Sequence, residues 1–407
     1  MTGALSHLRV LDLSRVLAGP WATQLLGDLG AEVVKIERPG TGDDTRAWGP
    51  PYLKDADGRD TSESAYFLSA NRNKKSITID LTQTQGQHLV RTLAMRSDVL
   101  IENFKRGGLA QYGLDPDSLL ALNPRLIYCS ITGFGQTGPY AHRPGYDFLI
   151  QGMGGLMSIT GRSENEPGAG PIKTGVAIVD ILTGLYASNA ILAALSWRER
   201  SGRGQHIDVA LLDVQVGCLA NQALNYLISG MLPAPLGNAH PNIVPYQDLP
   251  TADGYVIVTV GNDCQFAKLC EVLMRPALAL DPRFATNAAR VIHRDLLIPA
   301  IAEVTRARTT AAWVQALEAA GVPCGPVNDL AKVFEDAQVK ARGMQFELPH
   351  PAAGWAPQVA TPVRLSATPP EYRSAPPLLG QHTQEVLESV LGLGHSEIAE
   401  LKRSGAI

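Results

Sequence analysis

The feature that most constrains this chain is an alternation, through its N-terminal half, of short apolar runs with amphipathic ones. Leu8–Leu13, Glu32–Glu37, Ser76–Leu81, Asp98–Glu102 and Arg125–Thr132 read as strands, with Pro20–Leu29 and Gln85–Arg96 as helices between them. Pro20 suits a first helical turn because its φ is preset. Strands separated by helices pair in parallel, so the pattern predicts an α/β fold with a doubly wound sheet. A long apolar helix is expected from Gly175 to about Arg200, stopped by Ser201-Gly202-Arg203-Gly204 before a strand at Gln205–Ala210.

The pattern then changes. Residues 231–250 carry five prolines and no long periodic run, which predicts a loop or boundary. Gly254–Val260 reads as a strand, and two or three helices over 263–320 would complete a smaller second domain. A Pro-rich tail, 349–380, leads to a short helix with Thr383 as N-cap. A length of 407 residues suits two such domains.

Several function classes fall away. A net charge of −4 gives no basic field for nucleic acid or anionic lipid. Cys129, Cys218, Cys264, Cys270 and Cys324 are scattered, with no C-x-x-C pair, so neither a disulfide framework nor a metal site is indicated. No signal peptide is evident at the N-terminus, and the stretch Ile181–Trp197, broken by Thr183, Ser188 and Asn189, reads as a buried helix rather than a membrane span. The expected location is cytoplasmic. The first strand–loop–helix has one glycine, Gly19, where a dinucleotide fingerprint needs three, and no G-x-x-x-x-G-K-[ST] loop exists.

Asp180 stands out. Its neighbours Val176-Ala177-Ile178-Val179 and Ile181-Leu182 are all apolar, and burying a carboxylate without partners is costly. A helix N-cap, a core ion pair or a functional role would each account for it. Gly107-Gly108 and Gly154-Gly155 suggest close backbone approach or tight packing.

The chain resembles the class III CoA-transferases, the formyl-CoA-transferase type, over nearly its whole length. The likeness rests on Val10-Leu11-Asp12-Leu13 with Leu17-Ala18-Gly19-Pro20, on Leu29 to Glu37, on Asn71-Arg72-Asn73-Lys74-Lys75-Ser76 and on Glu102-Asn103-Phe104. Ser130 to Gly135, Gly202-Arg203-Gly204-Gln205 and Leu379-Gly380-Gln381-His382-Thr383 continue it in order. Arg38 to Gly40, Gly42 to Arg46, Trp48 to Pro51 and Ile243-Val244-Pro245-Tyr246-Gln247 look most like the succinyl-CoA-dependent members acting on glutarate or hydroxymethylglutarate.

The resemblance implies a Rossmann-like large domain (1–203 and 349–407), linkers at 204–230 and 326–348, and a small α/β domain at 231–325. It also implies an interlocked, ring-shaped homodimer. Asp180 falls on the family nucleophile, which would carry CoA as an aspartyl thioester. CoA contacts would fall on Leu17, Ala18, Arg38, Ile79, Asp80, Leu81, Thr82, Asn103, Phe104, Lys105, Arg143, Gly145, Tyr146 and Asp147. A family arginine is Gln111 here and a family lysine lies near Pro144, so Arg106 or Arg143 is expected to compensate. The family's glycine loop is replaced by His240-Pro241-Asn242-Ile243. Arg46, and then His240 and Asn242, are the expected partners of a second substrate carboxylate, since a guanidinium fork matches one.

Two alternatives share the pattern. A 2-methylacyl-CoA racemase would need a histidine base where Tyr146 stands, and a phenol with pKa about 10 is a poor base near neutrality. A non-catalytic acyl-CoA-binding protein would have no use for Asp180.

Overall fold

The computed structural model describes residues 3–163 and 166–407. Two compact units emerge: Met1–Leu156, Lys173–Ile228 and Gln338–Ile407 form the first, Met157–Ile172 and Ser229–Ala337 the second.

The first unit is built on six parallel strands: β1 (Arg9–Asp12), β2 (Glu32–Glu37), β3 (Lys74–Thr78), β4 (Val99–Glu102), β5 (Ile127–Thr132) and β6 (Gln205–Ala210). Their order is β3-β2-β1-β4-β5-β6. Side chains alternate between two buried faces. Val10, Val33, Val99 and Ile101 join the core that holds Ala22, Leu26, Ala187 and Ile191. Leu11, Val34 and Leu100 join the core that holds Leu89, Val90, Leu93 and Ile398. Helices α1 (Ala18–Asp28) and α4 (Ile178–Ser201) therefore cover one face, and α2 (Thr84–Met95) covers the other. The winding reverses between β1 and β4, and a doubly wound sheet opens a crevice at the carboxyl ends of such a pair.

A buried polar lattice supports that crevice. Lys74 Nζ lies 3.1 Å from Asp12 Oδ2, and Asp12 also accepts the hydroxyls of Ser14 at 2.5 Å and Thr23 at 2.6 Å. Lys35 Nζ donates to Ser14 O at 2.7 Å and meets Asp43 at 3.0 Å. Asp43 in turn accepts the Val16 amide at 3.2 Å, where φ is +71°. A β-branched residue rarely adopts that conformation, so the loop after β1 is held by its surroundings rather than by its own preference.

Several expectations are corrected. The strand placed at Ser76–Leu81 runs instead over Lys74–Thr78, because Lys74 is a buried strand residue whose ammonium finds Asp12. Ile79–Thr82 thus lie beyond the strand, at the crevice. Within 231–250, Tyr246–Pro250 form a strand. The tail at 349–380 begins inside an antiparallel hairpin, Gln345–His350 with Gly354–Val359. Thr383 is the first residue of its helix, after His382 at the cap; its Oγ1 accepts the Thr78 amide at 3.0 Å.

The second unit has a three-stranded antiparallel sheet, Tyr246–Pro250, Tyr255–Thr259 and Cys324–Pro326. Five helices between 263 and 319 pack around Phe266, Leu297, Ile301 and Trp313, where two or three were expected. Separate caps at Asn262, Thr286 and Thr309 break this stretch into short pieces.

Candidate active site

Loops at the carboxyl ends of β1 to β5 form a cleft with two compartments. The outer one, about 310 Å³, is lined by Arg38, Ile79, Asp80, Leu81 and Thr82. The inner one, about 180 Å³, is lined by Leu17, Ala18, Lys105, Arg143, Gly145, Tyr146 and Asp180. Arg15, Asp44 and Phe104 line both, so the compartments are continuous.

Two glycine approaches set this geometry. A Cβ on Gly184 of α4 would stand 2.7 Å from the Ala18 carbonyl oxygen, so only glycine lets the start of α1 lie against the helix that carries Asp180. A Cβ on Gly133 would stand 2.5 Å from Gly145 Cα, and that contact lays the 141–146 loop against the end of β5.

Asp180 sits in the first turn of α4, in the third helical position, and is only 8% exposed. It is neither the N-cap, which is Ala177, nor part of an ion pair among the described residues. Burial first, and then the neighbouring Asp147 carboxylate, push its acid up to about 7. Tyr66, on the short helix Ala65–Ser69, feels the same charges: burial, then Asp180 and Asp147, push its phenol up to about 12.

The other expected residues divide by what holds them. Asn103 lines the inner compartment, but its amide exchanges two bonds with the Arg15 backbone, at 2.9 and 2.6 Å. Glu102, pushed up to about 7 by burial, accepts the Phe104 amide at 2.7 Å and so orients the next loop. Arg38, Lys105, Arg106 and Arg143 enter no salt bridge among the described residues, though all four line the cleft. Arg143 lies over the rings of Phe134 and Tyr140, at 5.2 and 4.6 Å. Asp147 does not line the wall; it lies behind Asp180.

Arg46 is not in this cleft. Its Nε and Nη2 hold both oxygens of Glu37 at 2.8 Å, Nη1 reaches Glu63 at 3.3 Å, and the guanidinium stacks 3.7 Å from the Phe67 centroid. A substrate carboxylate would find that fork occupied. His240 and Asn242 belong to the second unit, where His240 Nδ1 accepts the Asn242 amide at 3.0 Å and its ring faces Tyr246. Burial, then Arg294, lower the His240 imidazole below its usual range.

The place of Arg15 at the junction, and of Asp147 behind Asp180 rather than in the wall, was not read from the sequence. The signal that could have pointed to Asp147 is that Gly175-Val176-Ala177 offers α4 no capping side chain.

A sequence profile of CoA-transferase family III matches residues 5–383. The chain belongs to that family. This family III CoA-transferase is 54% identical, over 383 residues and 94% of each chain, to the succinate–glutarate CoA-transferase of Agrobacterium fabrum. It is 43% identical over 403 residues to the succinyl-CoA:glutarate CoA-transferase of Homo sapiens, covering 99% of this chain and 90% of that one. The crystal structure of a CAIB/BAIF family protein from Brucella suis, 51% identical, superposes with a TM-score of 0.82 over 95% of this chain and 99% of the other. CoA thioesters are the substrates of such enzymes.

Proposed function

We propose that this CoA-transferase moves CoA from succinyl-CoA to glutarate or a similar short dicarboxylate, through a thioester on Asp180. The observation that carries the reading is a buried carboxylate that accepts no hydrogen bond among the described residues, at the inner end of a cleft lined by four cations that enter no salt bridge among those residues. The names of the Agrobacterium fabrum and human relatives support the choice of donor and acceptor.

The chemistry balances in four steps. An Asp180 oxygen attacks the succinyl thioester carbonyl, the C–S bond breaks, and CoA thiolate leaves a mixed anhydride. The thiolate then attacks the Asp180 carbonyl carbon and expels succinate, leaving the aspartyl thioester. The acceptor carboxylate attacks that carbonyl and expels thiolate, giving a second anhydride. Thiolate attacks the acceptor's carbonyl, forms the new acyl-CoA and returns Asp180 as a carboxylate. Val179, Ile131 and Leu211 around the nucleophile keep water from the activated carbonyl. Arg38, Lys105, Arg106 and Arg143 would meet the CoA phosphates, and Phe104 its adenine.

A homodimer is part of the proposal. Leu185, Tyr186, Leu192 and Trp197 on α4, and Leu224, Leu227 and Ile228 on the helix Ala220–Ser229, leave a broad apolar face exposed in the single chain. Light scattering at micromolar concentration should report twice the chain mass.

The deciding experiment incubates the enzyme with succinyl-CoA, traps with hydroxylamine and maps the adduct by mass spectrometry, alongside a matrix of acceptor acids. A hydroxamate on Asp180 and preferred turnover of five-carbon diacids is the expected result. Full turnover by Asp180→Asn would overturn the mechanism.

A further inference from the structure

The first turn of α4 is capped from outside. Its N-cap, Ala177, has no side-chain acceptor, yet the amides of Ile178, Val179 and Asp180 are each accounted for. The Ile178 N–H donates to Val176 O at 2.8 Å, and that of Ile181 opens the helical ladder on Ala177 O at 3.1 Å. Between them, the amides of Val179 and Asp180 donate to one atom, Oδ1 of Asp147, at 2.8 and 3.4 Å. Asp147 is itself fixed: Gln151 Nε2 donates to its Oδ2 at 2.6 Å, and Gln151 Oε1 accepts the Thr174 amide at 3.0 Å. Gln151 is fully buried. A buried brace therefore joins helix α3 (Asp147–Met153) to the entry of α4.

We infer that Asp147 is a positioning residue for the nucleophile rather than a CoA contact, because it takes the Val179 and Asp180 amides and so fixes the helical turn that carries the Asp180 carboxylate. An acid in the third helical position ordinarily folds over its own helix end, where free N–H groups and the dipole hold it. With the Ile178, Val179 and Asp180 amides occupied, the Asp180 carboxylate accepts no hydrogen bond among the described residues and lines the cleft. The second negative charge also makes proton loss from Asp180 harder, which leaves it a more basic nucleophile once ionised. This inference rests on the reading of Asp180 as the nucleophile.

Other charges face Asp180. Tyr66 approaches from the helix Ala65–Ser69, and Tyr146 precedes α3. Arg143 and His142 come from the loop after β5, Lys105 and Arg106 from the loop after β4, and Arg15 with Asp44 from the outer rim. All of these remain in Asp147→Asn, so a changed pH profile in that variant reports the lost carboxylate charge.

The test compares the pH dependence of kcat/KM for acyl-CoA in wild type, D147N and D147A. The Asn oxygen can still accept both amides, so D147N should move the acidic limb to lower pH by about one pH unit or more. D147A, which loses the cap, should lower kcat by ~10–100-fold with KM for the acyl-CoA held within about twofold. A CoA contact would behave oppositely: KM would rise and the limb would stay in place, which overturns the inference. Should either variant fail to fold, Q151L frees Oδ2 and keeps the cap charge. For Q151L a fall in kcat at constant KM supports the brace, and a rise in KM at constant kcat overturns it. D180N and the hydroxylamine trap run in parallel. Activity in D180N would defeat the nucleophile reading itself, a failure separate from an unmoved limb in D147N.

Discussion

Lys35 and Asp43 meet at 3.0 Å with both side chains fully buried, and the same aspartate holds the Val16 amide in its left-handed conformation. Burial, the largest single influence, would raise the Asp43 acid, but Lys35 and the Thr45 amide and hydroxyl together outweigh it and keep the group below the usual carboxylate range. Removing one partner leaves an uncompensated buried charge. Asp43→Asn should therefore cost about 3–5 kcal/mol in denaturant unfolding. The double variant Asp43→Asn with Lys35→Met should recover part of that loss, and a strictly additive cycle would show that the two residues do not act as a pair.

The pH dependence of stability should carry the mark of Asp180. Its acid is raised in the folded state, from 3.8 to about 7, so the fold binds the proton more tightly than the unfolded chain does. The associated stability is complete below pH 4 and is lost as pH rises through about 7. Asp180→Asn has no such loss. Its melting temperature should exceed that of the wild type by roughly 2–5 °C at pH 8 and match it near pH 4. Calorimetry at the two pH values checks both the sign and the window.

Arg46→Leu should strand Glu37 in the core, with Glu63 beside it. A loss of about 3–5 kcal/mol in stability is expected, and turnover of mono- and dicarboxylate acceptors should fall by the same factor. Arg46→Lys should rescue little, because one ammonium cannot hold both Glu37 oxygens. A selective loss on dicarboxylates would return Arg46 to the substrate.

Gly184→Ala should push the start of α1 away from α4, since the added methyl meets the Ala18 carbonyl oxygen at 2.7 Å. Displacing the Leu17–Ala18 wall should lower kcat/KM by ~10–100-fold. The stability cost should stay near 1–3 kcal/mol. Parallel kinetics and urea melts separate the two effects.

Arg38→Gln should raise KM for acyl-CoA by about tenfold, the loss expected for one charge-assisted bond to phosphate. The salt sensitivity of KM should shrink in the variant. An unchanged KM would remove Arg38 from the CoA site.

The parallel sheet was legible because its strands are apolar on both faces and β-branched, as in Val33-Val34 and Val99-Leu100-Ile101. Asp180 was legible for the opposite reason, as an acid inside a long apolar run. What escaped was pairing at long range. Lys74 looked like a strand boundary because nothing local names Asp12, 62 positions away, as its partner. Arg46 looked available for substrate because nothing local names Glu37. Asp147 looked like a pocket residue because its acceptor role depends on amides 32 and 33 positions ahead. Composition shows that a charge will need a partner; only the fold says which one.

The outer wall of the cleft is stitched from distant parts of the chain. Thr383 holds the end of β3 from 305 positions away, and the Asp80 amide donates to Ala406 O at 2.9 Å. During synthesis, then, Asp180 and both glycine contacts can be in place while the outer compartment still lacks its backing. A ribosome-bound intermediate of this chain would hold the Asp180 carboxylate beside an unfinished cleft, and the outer wall would be completed as a late, single step when residues 380–406 emerge and dock.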